Sequence, residues 1–154
     1  MFKEVIIRNT TNLEEENVTN YVLLMDTIQH ITDVNKTLTM LSNHIQDVGS
    51  EHDWTKLEYF TEFATDVSER KYTPDFKSRD WYRIHTGLER HHINAKVPDN
   101  VNLFDILENI TDCIVAGKSR TGKVDYNYLV LSQSIINTAY WNTVKLIDDN
   151  VKIK

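Results

Sequence analysis

The chain has one cysteine, Cys113, four glycines and two prolines in 154 residues. A lone thiol forms no internal disulfide, and zinc ribbons or knuckles, which need two or more thiolates, are excluded. Any bound metal must therefore use histidine and carboxylate. So little glycine and proline disfavours a hairpin-rich β fold and favours long helices. Positive charge is also short: 17 Lys and Arg stand against 23 Asp and Glu, a net charge of −6. That weighs against extended nucleic-acid binding, although not against one local basic patch. No apolar run approaches the roughly 20 residues of a membrane span. The opening Met1-Phe2-Lys3-Glu4 lacks the basic-then-apolar order of a signal peptide. The expectation is a cytoplasmic protein without a membrane partner. With 40% hydrophobic residues the chain suits a single domain over 1–154 that buries a core without staples.

The apolar pattern predicts an all-α, single-domain bundle of about five main helices, with its core over about 18–148. Residues 1–12 form a potential N-terminal arm, and the cluster Val5-Ile6-Ile7 in it is too short to separate strand from helix. From Val18 the apolar spacing of three to four, through Tyr21, Met25, Ile28, Ile31, Val34 and Leu38, predicts one long amphipathic helix. Glu14-Glu15-Glu16 lies near its positive end, and Gly49 is its expected stop. Ser50 offers an N-cap to a second helix that buries Leu57, Phe60, Phe63 and Val67 and ends at Lys71 to Pro74. A third helix is expected from Pro74-Asp75 onward, burying Trp81, Ile84, His85, Leu88 and His92. After the turn Pro98-Asp99-Asn100, Leu103, Ile106, Leu107, Ile110 and Ile114 mark a fourth, capped by Gly117. A basic loop, Lys118 to Lys123, precedes a last helix from about Asp125 to Ile147.

All six histidines lie between residues 30 and 92. A histidine on the first helix, the pair His52-Asp53 opening the second, further histidines on the third and an aspartate on the fourth would bring mixed nitrogen and oxygen ligands to one point. Such a set suits zinc, manganese, cobalt or iron and leaves positions open for water and substrate. His30 and His44 share a helix face but stand roughly 21 Å apart along it, so they cannot share one ion; His30, on the apolar side, is the better ligand. Asp53 has a structural competitor, because Ser50-Glu51-His52-Asp53 reads equally as a capping-box variant. Lys56 lies one turn beyond Asp53, placed to hold a phosphate oxygen or balance ligand charge. His85 and His92, seven apart, share one helix face, with His91 rotated from it. Asp105, Glu108 and Asp112 form a carboxylate stripe. The glycine-basic segment Gly117 to Lys123 is not a P-loop, since its spacing is wrong and Val124 follows Lys123. Lys118 and Arg120 remain candidates for a substrate phosphate.

This order of residues resembles the HD-domain superfamily of metal-dependent phosphohydrolases, whose pattern is a histidine, a His-Asp pair and a distant aspartate on successive helices: here His30, His52-Asp53 and Asp112. The segment His52-Asp53-Trp54-Thr55-Lys56 is similar to the extended motif with lysine three residues after the aspartate. More narrowly, HDWTKLEYFTEF (52–63), WYRIHTGLERHHIN (81–94) and LFDILENITDCIVAG (103–117) are similar to an uncharacterised family of phage and bacterial proteins carrying a domain of unknown function. The likeness covers about residues 25–122. It implies an HD-like bundle and a hydrolase acting on a small phosphorylated substrate, a nucleotide above all, by metal-activated water, in the host cytoplasm if phage-encoded. The implied metal ligands are His30, His52, Asp53 and Asp112, joined by His85 and His92 if two ions bind. Asp53, Lys56 and Glu108 would act in catalysis; Lys56, His91, Lys118 and Arg120 would meet substrate. The same pattern admits a di-iron oxygenase, or a non-catalytic phage protein that binds a nucleotide or a host factor. A homo-oligomer is compatible with all three.

Overall fold

The computed structural model describes residues 3–8, 18–69 and 75–153. The expectations placed on Glu14-Glu15-Glu16 and on Lys71 to Pro74 lie outside these residues. Among the described residues the chain is all-α apart from two three-residue strands. In order run β1 (Val5–Ile7), α1 (Asn20–Glu51), α2 (Trp54–Glu58), α3 (Phe60–Glu69), a 3-10 turn (Phe76–Ser78), α4 (Asp80–Leu88), α5 (Leu103–Thr121), a second 3-10 turn (Tyr126–Leu129), α6 (Gln133–Asn150) and β2 (Val151–Ile153). They fall into two compact units, Met1–Asp47 with Val144–Lys154, and Val48–Thr143.

In the first unit β1 and β2 pair in parallel, Val5 opposite Val151, which resolves the open Val5-Ile6-Ile7 cluster as strand. The helix α1 carries a buried aspartate, Asp33, whose carboxylate is fully partnered. The Arg8 N–H and the Gln29 amide donate to Oδ2 at 3.3 and 2.8 Å, and Lys36 donates to Oδ1 at 2.8 Å. Gly49 does not stop α1. The helix passes through it to Glu51, where a mid-helix glycine costs only about 1 kcal/mol against alanine. The apolar stripe predicted on α1 is not a buried face: Tyr21, Met25, Ile28, Ile31, Val34 and Leu38 are exposed, and the buried apolar residue of the helix is Met40, outside the stripe.

In the second unit Ile93, Val101 and Ala139 form the core, with Ile106, Leu131 and Ile135 packed against it. Asn102 caps α5 in a complete capping box with Asp105. The Leu103 N–H donates to Thr143 Oγ1 and the Asn142 amide to the Val101 carbonyl, tying α6 to the start of α5. The second expected helix is broken at Tyr59, with φ −108° and ψ 42°, into α2 and α3. The break rotates its apolar face, so Leu57 and Phe60 are exposed and Thr55 and Asp66 are buried instead. The third helix starts later than expected, at Asp80, and ends at Leu88. Trp81 and His85, four residues apart, make its inner face, whereas Ile84 and Leu88 are exposed. Gly117 is not a cap: α5 continues to Thr121, and Gly122, at φ 71°, closes it by donating to the Lys118 carbonyl. Gly117 is required for closeness, since a Cβ there would lie 2.6 Å from the Lys123 carbonyl oxygen.

Candidate metal centre

The second unit gathers its titratable groups from the α1–α2 junction, α2, α4 with the loop after it, and α5. At the junction Asp53 has φ 58° and ψ 24°, the one non-glycine residue of positive φ among the described residues. That left-handed conformation costs a side-chain-bearing residue roughly 1–2 kcal/mol, and it turns the chain sharply between two helices. Asp53 takes the N-cap position of α2 but its carboxylate makes no cap hydrogen bond. The capping-box alternative therefore fails, since α1 also runs straight through Ser50 to Glu51.

The Asp53 carboxylate lies among histidines. Its Oδ2 pairs with Lys56 and is 3.4 Å from His52 Nε2. Its Oδ1 is 3.4 Å from His85 Nε2 and 3.7 Å from His91 Nε2. From α5, Glu108 Oε1 stands 2.9 Å from His52 Nδ1 and 3.0 Å from His91 Nδ1, and Asp112 Oδ1 stands 3.5 Å from His52 Nε2. His85 and His92 bring their Nε2 atoms to 2.7 Å. Three groups result in which the donor atoms all lie within 4.8 Å of one another: His52, Asp53 and Asp112; Asp53, His85 and His92; and His52, His91 and Glu108. Asp53 belongs to two of them, with Oδ2 beside His52 and Oδ1 beside His85.

The donor set fits a cation. Nε2 of the fully buried His91, and Asp53 Oδ1, have no hydrogen-bond partner, while His91 Nδ1 faces Glu108 Oε1 at 3.0 Å. Buried lone pairs without partners cost free energy unless something polar meets them. Two imidazole nitrogens 2.7 Å apart match the roughly 3 Å separation of neighbouring ligands on an ion bound at about 2.1 Å.

Electrostatics sort the groups. Hydrogen bonds to Asp112 and Glu108 push His52 up to about 10, against the opposing effect of burial. Burial raises the Glu108 carboxyl, but the imidazoles of His52 and His91 outweigh it and bring it down to about 2. The hydrogen bond with His52 likewise lowers Asp112. Burial, reinforced by the neighbouring His92, takes His85 down to about 3; burial and His91 take His92 down to about 4. Without an ion, His52 is thus an imidazolium between two carboxylates, while His85 and His92 are neutral. A carboxyl at about 2 is a poor proton acceptor near neutral pH. Glu108, expected as a base, is better suited to orienting His52 through Nδ1.

Several expected residues stand elsewhere. His30 is exposed on α1 in the first unit and belongs to none of the three donor groups. Lys118 and Arg120 are exposed in the last turn of α5, where positive charge complements the negative helix end. His91 and His92 are not on a helix, since the chain leaves α4 at Glu89 with φ −77° and ψ 117°. The loop that carries them is pinned from α5. Arg90 donates through Nε and Nη2 to the two Asp105 oxygens at 2.7 Å each, and the Asn109 amide donates to the His91 carbonyl at 2.8 Å. Asp105 is therefore a buried anchor rather than part of a solvated stripe.

Sequence reasoning also missed Thr55 and Glu89, both buried against His85. The available signal was the spacing of Glu89 four residues, one helical turn, after His85. No known family model, curated protein or solved structure matches this chain.

Proposed function

We propose that the protein is a metal-dependent phosphohydrolase acting on a small phosphorylated substrate, a nucleotide above all. The first ion position is assigned to His52, Asp53 and Asp112 and a second to Asp53, His85 and His92. The observation that carries the reading is the convergence of these donors around Asp53, with Asp53 Oδ1 and His91 Nε2 buried and left without hydrogen bonds. The mixed nitrogen and oxygen set suits manganese, zinc, cobalt or iron. A bound divalent ion would supply a water of lowered pKa and positive charge for phosphoryl oxygens. The chain's own groups do the rest. Glu108 accepts a hydrogen bond from His52 Nδ1–H, leaving Nε2 directed at Asp53 and Asp112. Lys56, beside Asp53, adds an ammonium suited to a phosphate oxygen. This local charge allows an acidic protein to hold an anionic substrate.

The test is phosphate release from nucleoside mono-, di- and triphosphates with manganese, cobalt and zinc. The wild type is expected to turn over at least one, Asp53→Ala to lose bound metal and hydrolysis, and His52→Ala to lose the ion of the first position and hydrolysis, both while keeping the helical circular-dichroism spectrum. Undiminished activity in Asp53→Ala overturns the proposal, as does nucleotide binding that a chelator leaves untouched and that no metal converts to turnover. The sharing of Asp53 between two donor groups supports one further reading, a di-iron oxygenase. Iron-rich protein with oxygen-dependent turnover and no phosphate release decides for it.

A further inference from the structure

Thr55, two residues after Asp53, is wholly buried on α2. Its hydroxyl oxygen lies 2.6 Å from His85 Nδ1 and 2.6 Å from Glu89 Oε1, and its backbone N–H donates to the same Glu89 oxygen at 2.9 Å. A hydroxyl has one proton, and an ionised carboxylate only accepts. Since Glu89 Oε1 already accepts the Thr55 N–H, the hydroxyl proton also goes to Glu89. The Thr55 oxygen is then an acceptor toward His85, so His85 Nδ1 carries the ring proton. Nε2 keeps its lone pair, 3.4 Å from Asp53 Oδ1 and 2.7 Å from His92 Nε2. Trp81 stacks on the same imidazole, with ring centroids 4.8 Å apart and planes 13° apart, and so holds its plane.

We infer that Thr55 and Glu89 are positioning residues: a buried carboxylate–hydroxyl relay that locks His85 in the Nδ1–H tautomer and aims its Nε2 lone pair at Asp53 and His92. The use of that lone pair as a metal ligand rests on the function proposed above; the tautomer does not. In the metal-free protein the relay also assigns His92 as the donor across the 2.7 Å contact, through Nε2–H. Metal binding at this group requires that proton to leave Nε2. An outer partner that sets a ligand's tautomer commonly controls metal affinity by 10–100-fold.

The test is a long-range proton–nitrogen NMR correlation on histidine-labelled, metal-free protein. The wild type is expected to show His85 protonated at Nδ1 and bare at Nε2, with His92 protonated at Nε2. A wild-type His85 protonated at Nε2 overturns the relay, and this reading needs no variant to fold. Thr55→Val is expected to give a mixture of His85 tautomers, and Thr55→Ser to restore the single form. Glu89→Met frees the Thr55 hydroxyl to donate to Nδ1 and is expected to move the proton to Nε2. A tautomer unchanged in both Thr55→Val and Glu89→Met also overturns the relay. In zinc titrations Thr55→Val is expected to bind about 10–100-fold more weakly than wild type and Thr55→Ser close to it; equal affinity in all three removes the relay's role in the metal group. Wild-type protein with the expected tautomer but no affinity for manganese, cobalt or zinc upholds the relay and refutes the metal reading.

Discussion

Asp53 holds the left-handed turn between α1 and α2 while offering an oxygen to each of two donor groups. The backbone cost and the ligand role separate by substitution. In chelator, Asp53→Gly is expected to be more stable than Asp53→Ala by about 1 kcal/mol, because glycine adopts positive φ without penalty. Both should lose metal binding, and urea denaturation with metal titration checks the pair. His52 sets a pH signature. Its native pKa of about 10 lies above the ordinary 6.5, so the native state holds a proton the unfolded chain releases. Its contribution is therefore complete below pH 6.5 and lost as pH rises toward 10. Glu108, at about 2 against 4.5, contributes above 4.5 and loses that as pH falls toward 2. His85 and His92, lowered by burial, contribute fully above 6.5 and lose that as pH falls toward about 3 and about 4 respectively. Metal-free protein is expected to show its highest Tm near pH 6.5 and a decline above it, which His52→Gln removes. Bound metal should weaken or reverse the decline, since a liganded imidazole has given up its proton.

Among the elements, α5 and the loop after α4 make the site together. The capping box of Asn102 and Asp105, with Arg90 on the same aspartate, fixes the start of α5 and the approach to His91. Asn102→Ala is expected to cost about 1 kcal/mol. Gly117→Ala drives a Cβ into the backbone at Lys123 and is expected to cost about 1–3 kcal/mol, the scale of an overpacked contact. Thermal denaturation of both variants checks these. This is also the scale at which sequence periodicity misleads. Seven residues between His85 and His92 read as two turns of one helix, which would separate them by roughly 10 Å along its axis. Instead the chain leaves the helix at Leu88 and folds back, so the two imidazoles touch at 2.7 Å. The relevant force is the hydrogen bonding of a loop to α5, which carries no periodic signal.

For the whole molecule, metal binding and folding are linked wherever an ion binds the native state alone. At 100 times the dissociation constant the added stability is about 2.7 kcal/mol. Zinc or manganese is thus expected to raise the Tm of the wild type and not that of Asp53→Ala, which removes a ligand from both ion positions. Hydrogen exchange should place the added protection in Val48–Thr143, the unit that contains all the donor groups. Asp33 belongs to the other unit. Its hydrogen bond from Lys36, with those from Gln29 and Arg8, brings it down to about 2. Asp33→Asn is expected to reduce amide protection in α1 at neutral pH. That difference should shrink as pH falls from about 4 toward 2, where the wild-type carboxylate also protonates.

Scarcity of glycine and proline and an apolar spacing of three to four were enough to determine a helical chain, because both act locally. Residue type alone likewise determined that any bound metal must use histidine and carboxylate, and the order of residues singled out His52, Asp53 and Asp112 together with His30, which belongs to none of the donor groups. Only the tertiary structure decided that Asp53 turns the chain instead of capping it, that Glu108 orients His52, and that Thr55 and Glu89 govern His85. Those outcomes depend on where lone pairs and protons point, and direction is set by buried contacts between residues 30 to 60 positions apart.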